Sequence, residues 1–252
     1  MSLDACAALV QKGDPERFRA AMCAPMPVRG DLMALYAFNL EVARAPFASE
    51  EPMIAEMRVQ WWLDVVGEIC DGAPARAHEV VAPLAEVVRR AGLDRGTLEA
   101  LVEARRWDAR RAAPGDLEGY LADTGGGLMG LAAAVLGAGV GSVQAAARAH
   151  GWASGAANYL CAVPELKARG WPVQLGAGGV PGLARAGLAR LAAVRDVAVP
   201  KAVAPAFLPG WEAERMLMRA FDAPGRVAQG QLQAGPVFAR LAFGWRAVRG
   251  RI

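Results

Sequence analysis

"DLMALYAFNLEVARA", Asp31 to Ala45, decides the fold class. Leu32, Leu35, Tyr36, Asn39 and Ala43 fall three and four residues apart, along one face of an α-helix. A half-buried strand would need strict alternation instead, and Pro46 ends the pattern. The next stretch, "EEPMIAEMRVQWWLDVVGEICDG" (Glu50 to Gly72), repeats this grammar. Pro52 opens a helix, Gly72 closes it, and Met57, Trp61, Val65 and Ile69 form its expected buried stripe. Of the adjacent Trp61 and Trp62, one ring is expected in the core and the other at the surface or against a partner.

Outward from these two helices the pattern continues. Asp14-Pro15 is a helix start, with a capping acid before a proline. Further helices are expected at His78–Gly92, Asp94–Arg111, Leu117–Gly137, Ser142–Val163, Val180–Asp196, Ala213–Phe221 and Phe238–Val248. Strand-type alternation is nearly absent, so the fold class is all-α. No repeat or linker divides the 252 residues, and a single domain over 1–252 is expected.

Composition narrows the function. Hydrophobic residues make up 54% and charged residues 21%, the balance of a globular chain. The net charge of +3, with both signs interspersed, gives no electrostatic case for nucleic acid. Arg246, Arg249 and Arg251 cluster at the end, as a solvated helix end or a contact with an anionic membrane surface. Thr124–Ala147 carries no charge and could span a bilayer by length, but "GAGVGS" (Gly137 to Ser142) breaks it into two buried helices. "MSLDACAALVQKGDPERF" has an early acid and too short an apolar run for a secretion signal. Cys6, Cys23, Cys70 and Cys161 make neither a CxxC pair nor a disulfide framework, so a reducing cytosol is the expected compartment.

Local constellations are weak. His78 and His150 cannot build a multi-histidine metal site. His150 and Ser154 share a helix face, but no orienting acid adjoins them, so packing is expected. "VQLGAGGVPG" follows a strand-like "PVQL" yet lacks the βαβ context of a dinucleotide fingerprint. Glu99, Glu103 and Asp108 could hold Mg²⁺, but Arg105, Arg106, Arg110 and Arg111 interleave with them, as on a salt-bridged exposed face.

Five words in order carry a resemblance: "ALYAFN" (Ala34 to Asn39), "MRVQWW" (Met57 to Trp62), "LVEARRWD" (Leu101 to Asp108), "LEGYLADTGGGLMGLAA" (Leu117 to Ala133) and "NYLCAVPEL" (Asn158 to Leu166). From about Asp14 to Trp245 the chain resembles the squalene/phytoene synthase family. The resemblance implies an isoprenoid-synthase helical bundle around an apolar cavity. It also implies that catalytic relatives hold Mg²⁺ and diphosphate between two aspartate-rich motifs on facing helices, since a hard cation needs several oxygen ligands. Here the first motif reads "NLEVARAP", with Ala43 and Arg44 among the positions that should be acidic. In the second, Ala162 and Leu166 stand where acids belong. The remnant acids are Glu41, Asp108 and Glu165.

By the same resemblance the cavity lining includes Tyr36, Asn39, Glu41, Arg58, Gln60, Trp61, Asp108, Tyr120 and Asn158. Arg58 would hold an anionic headgroup or pair with Glu41 or Asp108. Gly125 to Gly127 would permit close helix approach. "FNLEVARA", "SEEPMIAEMRVQWW", "LCAVPEL" and "PKAVAPAFLP" resemble a branch of the family that serves assembly of respiratory complex I without prenyl transfer. That branch implies a protein partner among complex I subunits or assembly factors, no cofactor, and a cytoplasmic location with peripheral membrane contact. The alternatives are a Mg²⁺-dependent head-to-head prenyl diphosphate synthase and a carrier or sensor of an isoprenoid lipid.

Overall fold

A computed structural model describes residues 3–233, and the expected helix at Phe238–Val248 and the basic cluster at Arg246, Arg249 and Arg251 lie outside them. The described residues contain no strand. In chain order the helices are α1 (Leu3–Gly13), α2 (Pro15–Met22), α3 (Met26–Arg44), α4 (Pro52–Cys70), α5 (Val81–Ala91), α6 (Arg95–Glu103) and α7 (Arg106–Ala109). They continue with α8 (Leu117–Leu121), α9 (Gly127–Val135), α10 (Ser142–Ala168), α11 (Gly179–Ala193), α12 (Ala213–Asp222) and α13 (Gly225–Ala228). A π-helical segment, Ala122–Gly126, joins α8 to α9. "PVQL" forms no strand.

Local signals place the ends. Asp14 accepts the Arg17 backbone N–H at 2.9 Å and Pro15 fills the first turn, so α2 starts where the sequence places it. Gly72 (φ 75°) and Gly92 (φ 59°) end α4 and α5 in the left-handed region that costs glycine little. Asp94 caps α6, accepting the Thr97 N–H at 2.7 Å.

Helix α3 is the central pillar. Every residue from Asp31 to Leu40 is buried, beyond the one-sided burial of an ordinary amphipathic helix. The charge this buries is compensated, because Asp31 pairs with Arg90 of α5. Around α3 lies one apolar core, drawn from α1, α4, α5, α6 and α9. A second core gathers α8, α11, α12 and α13. Helix α10 serves both, through Ala146 and Ala147 in the first and Trp152 to Val163 in the second.

Three expectations are corrected. First, α4 buries Ala55, Val59, Trp62, Val65 and Val66; of the expected stripe Val65 is buried, Trp61 and Ile69 are half-buried, and Met57 is 66% exposed. Apolar residues occupy more than one face of this helix, and α4 packs against α5, α6 and α7. Trp62 packs edge-on against Phe38 at 5.5 Å, while Trp61 stays half-buried under the Arg76 guanidinium. Second, Asp94–Arg111 is two helices, broken by a turn at Ala104–Arg105. Third, α10 does not end at "NYLCAVPEL" but continues through Pro164 to Ala168.

The uncharged stretch Thr124–Ala147 divides at the turn after α9, as expected, and no helix among the described residues is long and apolar enough to cross a membrane. The π segment and α10 meet backbone to backbone. A Cβ on Gly125 would strike the Gly151 carbonyl and come within 3.1 Å of the Gly155 Cα, so this crossing requires glycine.

Candidate functional site

Between α3, the π segment and α10 lies a cavity of about 420 Å³, within the usual range for small-molecule sites. Helix α3 lines it with Tyr36, Asn39, Leu40 and Ala43, at i, i+3, i+4 and i+7. Helix α10 contributes Gly151, Gly155, Asn158, Ala162 and Leu166 from one face. Thr124 and Gly125 come from the π segment, where Thr124 Oγ1 donates to the Tyr120 carbonyl at 2.6 Å. π-bulges of this kind are frequent at functional sites.

The polar wall is a closed set of partners. Arg105 Nη1 donates to the Tyr120 hydroxyl at 3.0 Å and pairs with Asp108 Oδ2 at 3.3 Å. Tyr120 donates in turn to Asp108 Oδ2 at 3.0 Å. The side chains of Arg105 and Asp108 are 17% and 21% exposed. Burial opposes the Arg105 charge, but Tyr120 and Asp108 outweigh it and hold the guanidinium above its usual pKa. Burial pushes the Tyr120 and Tyr36 phenols well above the ordinary tyrosine value. On the α2 side, Asp14 pairs with Arg17, whose guanidinium lies 5.9 Å from the Tyr36 ring centre. At the rim, Phe47 stacks on Trp171 at 5.4 Å, and Trp171 in turn lies against Arg111.

Of the lining residues named from sequence, Tyr36, Asn39, Asp108, Tyr120 and Asn158 come together here. The vacated acid positions Ala43, Ala162 and Leu166 also face the cavity. Glu41, Arg44, Arg58 and Trp61 do not. They line a separate surface recess of about 520 Å³ with Ile54, Met57 and His78. Glu41 lies about 100° round the helix from Leu40 and about 160° from Asn39, on a different face, and α4 turns Arg58 outward because Val59 and Trp62 take the core. Among the described residues Arg58 makes no ion pair, and Asp108 is already held by Arg105. Gln60 also lies outside, accepting from Arg106 Nη2 at 2.5 Å and donating to Asp64 at 2.8 Å. Glu165 is exposed on the far side of α10 and pairs with Arg169 at 2.8 Å. The three remnant acids therefore do not converge.

Other sequence candidates resolve into structure. Glu99 and Glu103 pair with Arg95 and Arg106 on the exposed face. Ser154 donates to the His150 carbonyl at 2.9 Å rather than to its imidazole, and both pack against Gly210. Asp14, Arg17, Arg105 and Thr124 are cavity residues that the sequence reading did not single out. For Arg105 a signal existed in its i, i+3 spacing to Asp108, a cavity candidate.

The donor set does not suit a divalent cation with diphosphate. The two carboxylates on the cavity wall, Asp14 and Asp108, each pair with an arginine. Among the described residues no group of three or more His, Cys, Asp or Glu is placed to hold a metal.

The family model described as squalene/phytoene synthase matches residues 10–177. Human NADH dehydrogenase (ubiquinone) complex I, assembly factor 6, is 32% identical over 164 residues, covering 63% of this chain and 48% of that protein. The Drosophila melanogaster homolog of that factor is 31% identical over 166 residues, covering 63% of this chain and 50% of the homolog. The chain thus spans about half the length of the curated relatives it matches. Among solved structures, a dehydrosqualene synthase in complex with ligand superposes with a TM-score of 0.77 at 12% identity, covering 98% of this chain and 95% of that one. Squalene synthase HpnC from Alicyclobacillus acidocaldarius gives 0.62 at 17% identity, covering 98% and 94%. These two likenesses carry the fold, and the family match carries membership: the chain belongs to the squalene/phytoene synthase family.

Proposed function

We propose that this chain acts in the assembly of respiratory complex I and performs no prenyl transfer of its own. The observation that supports this most is the donor set of the cavity. Where the family resemblance puts acids, Ala43, Ala162 and Leu166 present hydrocarbon, and the carboxylates of Asp14 and Asp108 are engaged by Arg17 and Arg105. Ionising a prenyl diphosphate requires a metal cage for several negative charges, and these residues supply too few free oxygens to build one. The assembly role is carried over from the names of the relatives. A protein partner among complex I subunits or assembly factors, and a cytoplasmic location with peripheral membrane contact, belong to the same proposal.

The test has two arms. Deleting the gene in its own organism is expected to lower complex I activity. The wild-type chain and a Glu41→Gln/Glu165→Gln double variant are both expected to restore it. Pure protein given farnesyl diphosphate and Mg²⁺ is expected to release no diphosphate. Unchanged complex I levels across several growth conditions would remove the assembly role, and steady diphosphate release would reinstate a prenyl diphosphate synthase.

A further inference from the structure

Helix α4 carries a second apolar strip, away from the core. While Ala55, Val59, Trp62 and Val66 pack inward, Met53, Ile54 and Met57 are exposed, Met53 by 71% of its surface. Trp61 continues the strip one turn on, half-buried. A helix that is apolar on opposite sides is normally covered on both, and a contiguous exposed apolar strip marks an interaction surface. Charge is also ordered along it. Glu50 and Glu51 stand exposed at its start, and Arg58 stands exposed further along. Among the described residues none of these three makes an ion pair. Glu51 and Arg58 are two helical turns apart, so they share one side of α4, with Ile54 and Met57 between them. The strip is therefore complementary to itself. A two-fold axis near Ile54 would lay α4 antiparallel to α4 of a second copy and set Glu51 of each beside Arg58 of the other. An anionic bilayer suits the strip less well, because it would repel the two acids at its start.

We propose that this face of α4 is a two-fold interface between two copies of this chain, with Met53, Ile54 and Met57 at its centre and reciprocal Glu51–Arg58 pairs on its flanks. The second copy then covers the surface recess of about 520 Å³ that Ile54, Met57 and Trp61 line. The methionines suit such a contact, because their unbranched side chains adapt to the surface they meet. The interface does not rest on the assembly role proposed above, so self-association of pure protein and rescue of a deletion strain can fail separately.

The experiment is sedimentation equilibrium of the pure 252-residue chain from about 1 to 300 µM, the range in which a small interface associates. A dimer fraction that rises with concentration is expected for the wild type. Arg58→Glu sets acid against acid, and Glu50→Arg/Glu51→Arg sets arginine against arginine. Each variant alone is expected to dimerise at least about tenfold more weakly. An equimolar mixture of the two is expected to dimerise again, because every reversed charge then meets its opposite across the two-fold. Misfolded variants could not regain association on mixing. A wild type that stays monomeric at every concentration would overturn the proposal. Flotation of that monomer with vesicles of phosphatidylethanolamine and phosphatidylglycerol would assign the strip to a membrane instead. A dimer that survives both reversals would place the interface on another face, and a mixture that stays monomeric would overturn the antiparallel pairing.

Discussion

Asp108 shows how a residue can keep its place and change its company. Its carboxylate lies on the cavity wall but accepts from Tyr120 and pairs with Arg105. Asp108→Asn is therefore expected to destabilise the protein by about 1.5–3 kcal/mol in urea unfolding, as for a charge-assisted hydrogen bond. A carboxylate retained only to bind metal would show little loss in metal-free buffer. Arg105 was hidden in the sequence because "EARRWDARR" looks like an exposed charge run, and only the turn at Ala104–Arg105 sends one of its arginines inward. Asp94 gives a second test at this scale. Its carboxyl accepts from the Thr97 N–H and hydroxyl, both at 2.7 Å, and these bonds hold its pKa below the ordinary aspartate value. Asp94→Ala should cost about 1 kcal/mol at neutral pH. A group with a lowered native pKa stabilises above its unfolded value and loses that contribution as pH falls through the native one. The gap between wild type and Asp94→Ala should thus be full at pH 7 and shrink as pH falls below about 4, and a gap that stays constant through the acid range would refute this origin.

Helices α4 and α10 differ in how well their sequences fix their orientation. Helix α4 carries apolar side chains on several faces, so a pattern through Met57 and Trp61 competes with one through Val59 and Trp62, and periodicity alone does not choose. The choice is made by α5, α6 and α7, and it moves Arg58 and Trp61 from the expected cavity to an outer recess. Helix α10 is constrained by contact. Its glycines predict opposite outcomes four residues apart. A Cβ on Gly151 would strike the Gly125 carbonyl and lie 2.7 Å from the Met129 Cβ, so Gly151→Ala should cost about 1–3 kcal/mol by overpacking. A Cβ on Gly155 would meet Leu121 Cδ2 at 3.4 Å, an ordinary contact, so Gly155→Ala should be neutral or stabilise by up to about 1 kcal/mol through helix propensity. Chemical denaturation of the two variants checks the pair, and equal losses would show that the crossing is looser than described.

Across the molecule, the two apolar cores are tied by α10, which buries side chains in both. We propose that they unfold together as one domain. Far-UV circular dichroism and tryptophan fluorescence should give one midpoint, since Trp62 reports on the first core and Trp152 on the second. Two separated midpoints would divide the chain into independent units. At this scale, with the cavity face of α10 coming from the family resemblance alone, the sequence was sufficient for the all-α class, most helix starts and stops, and the face of α3 that lines the cavity. Those features depend on residues three, four and seven apart, on capping acids, and on prolines and glycines, all of which act within a few residues. It could not supply the register of α4, the break before α7, or the arginine partners of Asp14 and Asp108 as a neutral cavity wall. Each of these depends on which helix crosses which, and at what height. That is settled by packing between residues far apart in the chain, where shape and paired charge override local periodicity.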